Sequence, residues 1–310
     1  MRPPMRIAFI GAVEGSAIGL KALVDAGMAP GLVLTLPPEA ARRHSDYVDL
    51  GPLAKAGGSA LVHVTDVNGD DAIAALTAYE TDLVLVIGWS QVCRAPFMSV
   101  ARVGNVGFHP APLPHMRGRA VIPWTILLGE RETAATLFWL DAGVDSGPIL
   151  LQEPITVAAA ETARSLYDKQ TAALGRLLPQ AVALVAAGDP PRREQDHARA
   201  TYCARRTQED GRIDWREPAE AVLRLVRAVG DPYPGAFTTA EGQRLVIDAA
   251  EPFADSGRYI GLPGQVQSHT PEGFTVRCGD GQAITVTAWR REGGSAERPR
   301  LHTKLGACPA

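Results

Sequence analysis

The sequence predicts an α/β fold, a doubly wound and mostly parallel sheet followed by a smaller C-terminal OB-like β-barrel. Three observations predict it. Continuous apolar runs recur at residues 5–11, 31–36 and 82–87; strands buried on both faces of a parallel sheet read as such runs rather than as alternation. Helical periodicity lies between the runs, which is the strand-helix order of βαβ units. Past residue 211 the pattern changes to short strands separated by Gly-containing turns, as in a small barrel.

Taken in order, residues 5–11 (MRIAFIG) form the first buried strand. Residues 16–27 form a helix with Ser16 as N-cap and Gly27 as C-cap. The intervening turn, Gly11-Ala12-Val13-Glu14-Gly15-Ser16, lacks the G-x-G-x-x-G spacing, so a dinucleotide-binding oxidoreductase is disfavoured. Residues 31–36 are the next strand, 71–79 a helix and 82–87 a third strand. A strand at 148–152 precedes a long helix at 162–187. Residues 188–206 are Pro-rich and charged and read as a linker. Residues 211–215 open the second unit, 218–229 form an amphipathic helix, and 245–247, 264–266, 274–278 and 283–286 are short strands. From Gly293 onward the chain reads as loosely ordered. The expected domains are 1–200, catalytic, and 201–310, OB-like.

Bulk properties narrow the function. The 310 residues are 46% hydrophobic and 21% charged with a formal net charge of −3, so no general attraction to nucleic acid is expected. No apolar run approaches the roughly 18 residues of a membrane span. The N-terminus reads as a strand entering a sheet and not as a signal peptide. The four cysteines, Cys93, Cys203, Cys278 and Cys308, have no metal-binding spacing and read as free thiols of a reducing, cytoplasmic compartment. No metal site is expected.

The chemistry concentrates in two segments. Gly107-Phe108-His109-Pro110-Ala111-Pro112-Leu113-Pro114-His115-Met116-Arg117-Gly118 places a histidine at a strand end on a loop stiffened by three prolines. Ligands in open α/β sheets bind at the carboxyl ends of strands. Asp141-Ala142-Gly143-Val144-Asp145-Ser146-Gly147 then supplies an acid in a Gly-flanked turn. A carboxylate beside an imidazole fixes its tautomer and supports its charged form, so His109 and Asp145 are the expected catalytic pair. Asp141 follows an apolar run and is the weaker acid candidate. Arg117 and Arg119 read as an exposed pair for a substrate phosphate or carboxylate. Gly88-Trp89-Ser90-Gln91 follows a buried strand, where its backbone can approach a flat heterocycle. Cys93 reads as packing rather than nucleophile.

These segments resemble the formyltetrahydrofolate-dependent formyltransferase family, whose motif runs N-x-H-x-S-L-L-P-x-x-R-G and then D-x-G-x-D-x-G. His109, Leu113-Pro114, Arg117-Gly118 and Asp145 fall on that pattern, and Gly129-Glu130-x-x-Thr133 on the G-E-x-x-T segment between. Arg205-Arg206-Thr207, Glu209 to Trp215, Val226-Arg227-Ala228 and Pro232 to Phe237 are similar to the family's C-terminal domain. The resemblance implies 10-formyltetrahydrofolate as co-substrate, with Gly88, Trp89, Ser90, Gln91, Asp141 and Gly143 on its side of the site. It implies attack of a primary amine on the formyl carbon, His109 taking the proton and Asp145 orienting His109.

One position departs. The family's asparagine two residues before the histidine is Gly107 here, and the serine after it is lost. Asn105 is two residues early, roughly 6–7 Å along the strand. Losing one oxyanion donor typically costs on the order of 10²–10³ in rate. With Gly88 to Gln91 and His44-Ser45-Asp46-Tyr47, the G-F-H-P form resembles bacterial nonulosonic-acid and nucleotide-sugar formyltransferases. The acceptor expected first is therefore a small amine on a nucleotide-linked sugar, with nucleic acid disfavoured as a partner and a homodimer compatible with the second domain. The alternatives are methionyl-tRNA formyltransferase, a formyltetrahydrofolate hydrolase or other one-carbon acyltransferase, and a non-catalytic folate-binding protein.

Overall fold

A computed structural model describes residues 4–43, 46–292 and 297–306. His44, Ser45 and Cys308 of the expectations above lie outside the described residues, as do residues 293–296. The chain divides into two compact units. The first comprises Met1–Val121, Glu132–Thr156 and Tyr167–Ala204, and the second Ile122–Arg131, Val157–Leu166 and Arg205–Ala310.

The elements run β1 (Ile7–Ile10), α1 (Glu14–Asp25), β2 (Leu32–Thr35), α2 (Gly51–Ala56), β3 (Ala60–His63), α3 (Asp70–Ala78), β4 (Leu83–Val86), α4 (Ala95–Met98), β5 (Gly104–His109), β6 (Arg117–Gly118), α5 (Val121–Leu127), β7 (Glu132–Trp139), β8 (Ile149–Thr156), α6 (Ala163–Ala187) and β9 (Tyr202–Cys203). A seven-stranded sheet has the order β3-β2-β1-β4-β5-β7-β8. Its first five strands are parallel, and β7 and β8 are antiparallel additions. β1, β2 and β4 are buried at every position, which explains their continuous apolar sequence. β5 stands between parallel β4 and antiparallel β7. Gly107 pairs with Val86 on one side and Phe138 on the other, and His109 with Thr136.

Ser16 is not the N-cap of α1, which is Val13, but takes part in the cap from inside the first turn. The helix starts two residues earlier, and Ser16 lies in its first turn, buried. Its hydroxyl accepts from the amides of Ala12 and Val13 (3.1 and 3.2 Å) and donates to the carbonyl of Ile87 (2.6 Å). The serine thus ties the end of β1 to the end of β4, where the site opens. At the other end Ala26 is the cap, and Gly27 follows it with φ +69°.

Residues 188–206 are not a free linker. Arg193 pairs with Ile149 through backbone bonds of 3.0 and 2.8 Å, Gln195 is buried, and β9 pairs in parallel with β6. Proline and charge density mimic a linker, but the segment returns to the sheet and belongs to the first unit up to residue 204.

The second unit contains α7 (Ala219–Val229) and an antiparallel sheet of β10 (Ala236–Ala240), β11 (Gln243–Pro252), β12 (Val266–His269), β13 (Phe274–Arg277) and β14 (Ala283–Arg291), in the order β10-β11-β14-β13-β12. The β10–β11 turn places Glu241 and Gly242 at φ +53° and +79°, the two left-handed positions that match strand twist in a two-residue hairpin. Register shifts around Ala249 bend β11 against β14. α7 buries Val222, Leu223, Val226 and Val229 on one face. The described part of the C-terminus is held: the Val266 amide donates to the Thr303 carbonyl, the His302 amide donates to the Val266 carbonyl, and Leu305 is buried. That differs from the loose ordering expected from its composition. Among the described residues no helix is long and apolar enough to cross a membrane.

Candidate active site

β5 delivers His109 at its last residue, buried, with 5% exposed. The loop after it is pinned at three carbonyls. Thr136 Oγ1 donates to Ala111 (2.6 Å), Gln152 Nε2 to Leu113 (3.2 Å) and Gln170 Nε2 to Pro110 (3.2 Å). This turns the chain back so that the Met116 carbonyl lies 2.8 Å from His109 Nε2. A carbonyl only accepts, so Nε2 carries the hydrogen and the neutral ring keeps its lone pair on Nδ1. Nδ1 faces Asp145 Oδ2 at 3.6 Å, an ion-pair distance rather than a hydrogen bond.

Asp145 sits at φ +49°, a left-handed position held by its surroundings. The Gly118 amide donates to its Oδ2 (2.8 Å). In the same turn Asp141 accepts from the Gly143 amide (3.0 Å) and from Ser146 Oγ (2.7 Å), so this carboxylate closes the loop on itself.

A cavity of about 570 Å³ opens over the pair. Of the residues expected at the site, Gly88, Trp89, Ser90, Gln91, His109, Arg119, Asp141, Gly143 and Asp145 line it. Gly88 has φ +69°, and a Cβ there would lie 2.3 Å from Val13 Cγ2. Gln91 uses its amide on the protein: Oε1 accepts from the Val67 amide (2.8 Å) and Trp89 Nε1 (3.0 Å), and Nε2 donates to the Thr65 carbonyl (2.9 Å). Asp46 and Val13 also line the cavity.

Arg117 corrects the expectation of an exposed substrate-binding pair. It is 1% exposed, does not line the cavity, and gives its guanidinium to Gln195, Tyr202 and His197. Two of its neighbours in sequence made it look like loop charge; its partners lie 78–85 residues further on. Arg119 is exposed on the cavity wall.

Gly107 lines the cavity, and the space beside it is filled. A Cβ there would lie 2.7 Å from Leu140 Cδ2 and 3.2 Å from Phe138 Cε1. Asn105 does not take over. It is buried outside the cavity lining, with Nδ2 on the Met98 carbonyl at 3.1 Å.

Residues 53–182 match the model of the formyl transferase family, and residues 205–301 match that of the formyl transferase C-terminal domain. The methionyl-tRNA formyltransferase of Anaeromyxobacter dehalogenans is 35% identical over 94% of each chain. The chain belongs to the formyltransferase family. As a formyltransferase it is an enzyme whose co-substrate is a formyl-carrying folate. Two solved structures share the formyltransferase fold. HypX from Aquifex aeolicus has a TM-score of 0.69 at 21% identity, over 93% of this chain and 46% of that one. The N-formyltransferase from Helicobacter canadensis, solved with folinic acid and dTDP-3-aminofucose, has a TM-score of 0.65 at 15% identity, over 92% and 99%.

Cys93 lines the same cavity, yet burial pushes its thiol up to about 12. The reactive thiolate is therefore scarce at neutral pH. At pH 8 Cys93 is expected to react with iodoacetamide at least tenfold more slowly than a free cysteine, and Cys93→Ala to keep kcat within about twofold. Rapid labelling followed by mass spectrometry, with matching loss of activity, would contradict its role as wall.

Proposed function

We propose that this formyltransferase moves the formyl group of 10-formyltetrahydrofolate to a primary amine, with His109 as the proton-transfer group and Asp145 as its electrostatic partner. The observation that carries this is the Nε2–Met116 contact, which leaves the Nδ1 lone pair facing Asp145 on the wall of the cavity. When bound, the folate supplies an acyl carbon activated by attachment to nitrogen. The cavity fits such a group: about 570 Å³, with Trp89, Val92, Phe138 and Leu140 offering apolar surface to a flat ring and the His109–Asp145 pair on the same wall. His109 Nδ1 accepts the proton of the incoming amine, Asp145 stabilises the resulting imidazolium, and the same Nδ1–H returns the proton to the departing nitrogen. Met116 holds the ring in place throughout.

For the acceptor we propose the aminoacyl amine of methionyl-tRNA. The support is the 35% identity to a methionyl-tRNA formyltransferase, which extends over 94% of both chains and so across both units. A nucleotide-linked amino sugar is the second reading, and charge favours it. Residues 205–310 hold equal numbers of basic and acidic residues. Arg216, Arg290 and Arg291 are paired with Asp214, Asp248 and Glu241, which leaves less cation for phosphates. The test is release of tetrahydrofolate from 10-formyltetrahydrofolate with methionyl-tRNA, with a panel of nucleotide-linked amino sugars, and with no acceptor. Release that requires tRNA and weakens steeply with salt supports the first reading. Release that requires an amino sugar replaces it with the second. Release without any acceptor sinks both in favour of hydrolysis.

Gly107 bears on the same reaction. Gly107→Asn is expected to destabilise the protein by about 1–3 kcal/mol, because Leu140 and Phe138 occupy the space of the new side chain. It should lower kcat about tenfold. Leu140→Ala added to it should recover most of both losses, as read by thermal unfolding and steady-state kinetics. A single variant with unchanged Tm and kcat would show that the wall yields freely.

A further inference from the structure

We infer that Gln195 is a positioning residue for Asp145, a two-sided amide clamp loaded from behind by the buried guanidinium of Arg117. The inference rests on the role proposed above for Asp145. Gln195 is 5% exposed, and every hydrogen-bonding direction of its amide is used. Its Oε1 accepts from Arg117 Nε (3.1 Å) and Nη2 (2.7 Å). Its Nε2 donates to the carbonyls of Asp145 (2.9 Å) and Gly147 (2.6 Å). Arginine only donates and carbonyls only accept, so the two ends of the amide cannot be exchanged.

Arg117 is the unusual member. Its remaining contacts are Tyr202 Oη (3.1 Å) and His197 Nδ1 (3.1 Å). None of its acceptors is a carboxylate. Keeping a cation buried on neutral acceptors is unfavourable, so stability alone is a poor reason for it. The geometry points to aim instead. The residues on either side of Arg117 touch both acting groups: the Met116 carbonyl holds His109 Nε2, and the Gly118 amide holds Asp145 Oδ2. Through Gln195 the Arg117 side chain also grips the main chain of Asp145 itself. The three residues Met116 to Gly118 thereby set the imidazole, the carboxylate and the backbone of the aspartate. A left-handed φ of +49° at an aspartate persists where neighbours over-determine it, and Gln195 supplies two of the bonds that do so.

Gln195→Glu separates aim from stability. Glutamate is nearly isosteric, keeps the oxygen that faces Arg117 and gives the guanidinium an opposite charge. It cannot donate to the Asp145 and Gly147 carbonyls, which then face a carboxylate. The new charge pair with Arg117 offsets part of the cost of two carbonyls left without a donor, so the expected result is a Tm only modestly below that of the wild type, kcat reduced about 10- to 100-fold, and KM for 10-formyltetrahydrofolate changed less than about twofold. Wild-type kcat at wild-type Tm overturns the proposal, because a residue that only fills space would behave that way. If Gln195→Glu does not fold, Arg117→Lys is the second probe. A single ammonium cannot make both contacts to Gln195 and reach Tyr202, so the same split between kcat and KM is expected, and an unchanged kcat again overturns the clamp. Asp145→Asn measured in parallel keeps the two failures apart. If it retains full activity, the role of Asp145 falls; if it is inactive while Gln195→Glu is normal, only the clamp falls.

Discussion

Replacing His109 by alanine is expected to lower kcat for formyl transfer by roughly 10²–10⁴, the range typical of a lost proton-transfer group, while the protein stays folded. The imidazole makes one hydrogen bond to the protein, to the Met116 carbonyl, and faces Asp145 at 3.6 Å. Its removal leaves that carbonyl without its donor, at a cost of about 1–3 kcal/mol before any water enters from the adjoining cavity. The loop itself remains held at Pro110, Ala111 and Leu113 by side chains the substitution does not touch. Stability and activity should therefore part: a modest fall in Tm, unchanged folate affinity, and near-complete loss of single-turnover rate. A kcat within threefold of wild type would remove His109 from the mechanism.

Gly147→Ala should have the second-largest effect, and for a steric reason. A Cβ at this position would lie 1.9 Å from the Trp139 carbonyl oxygen and 3.0 Å from its carbon. Those are backbone atoms at the end of β7, whose amide is already bonded to the Pro148 carbonyl at 2.9 Å, so neither side can yield by a rotamer change. The 141–147 turn must open, carrying Asp145 away from His109 and the Gly147 carbonyl away from Gln195. We expect kcat to fall at least 100-fold together with a clear drop in Tm. A Gly147→Ala protein with wild-type rate would mean that the closeness of this turn to β7 does not aim Asp145.

Much of the first unit was legible because its central strands are buried on both faces. The runs at β1, β2 and β4 are apolar at every position but Thr35, which is itself buried, so no alternation obscures them. β3, at the sheet edge and largely exposed, carries no such run and was not legible. The two-residue strands β6 and β9 are too short to have a period at all. At the site, His109 and Asp145 could be read from local grammar: a strand end stiffened by prolines, and an acid between glycines. The residues that hold them could not. Met116 acts through its carbonyl, which no side-chain pattern reports. Gln195 lies in a stretch whose composition mimics a linker, and Arg117 looked solvent-exposed because burial here depends on partners far away in sequence. Ser16 was misplaced for a related reason: it lies at the third position of α1 rather than at the cap, and besides accepting from Val13 its hydroxyl reaches Ile87, far away in sequence.

The pairing of β6 with β9 decides where this chain can be cut. Every strand of the large sheet precedes residue 157, so a fragment ending with α6 retains the whole platform. It loses Arg193, which pairs with Ile149; Gln195, which holds Asp145; and Thr201, whose carbonyl and hydroxyl anchor the amides of Arg117 and Met116 at 2.8 Å each. Such a truncation would keep the sheet strands and lose the anchors of the 116–118 segment. Carrying the boundary to residue 204 returns the missing anchors. The shortest continuous stretch that keeps these anchors is thus set by a two-residue strand and not by the end of the longest helix.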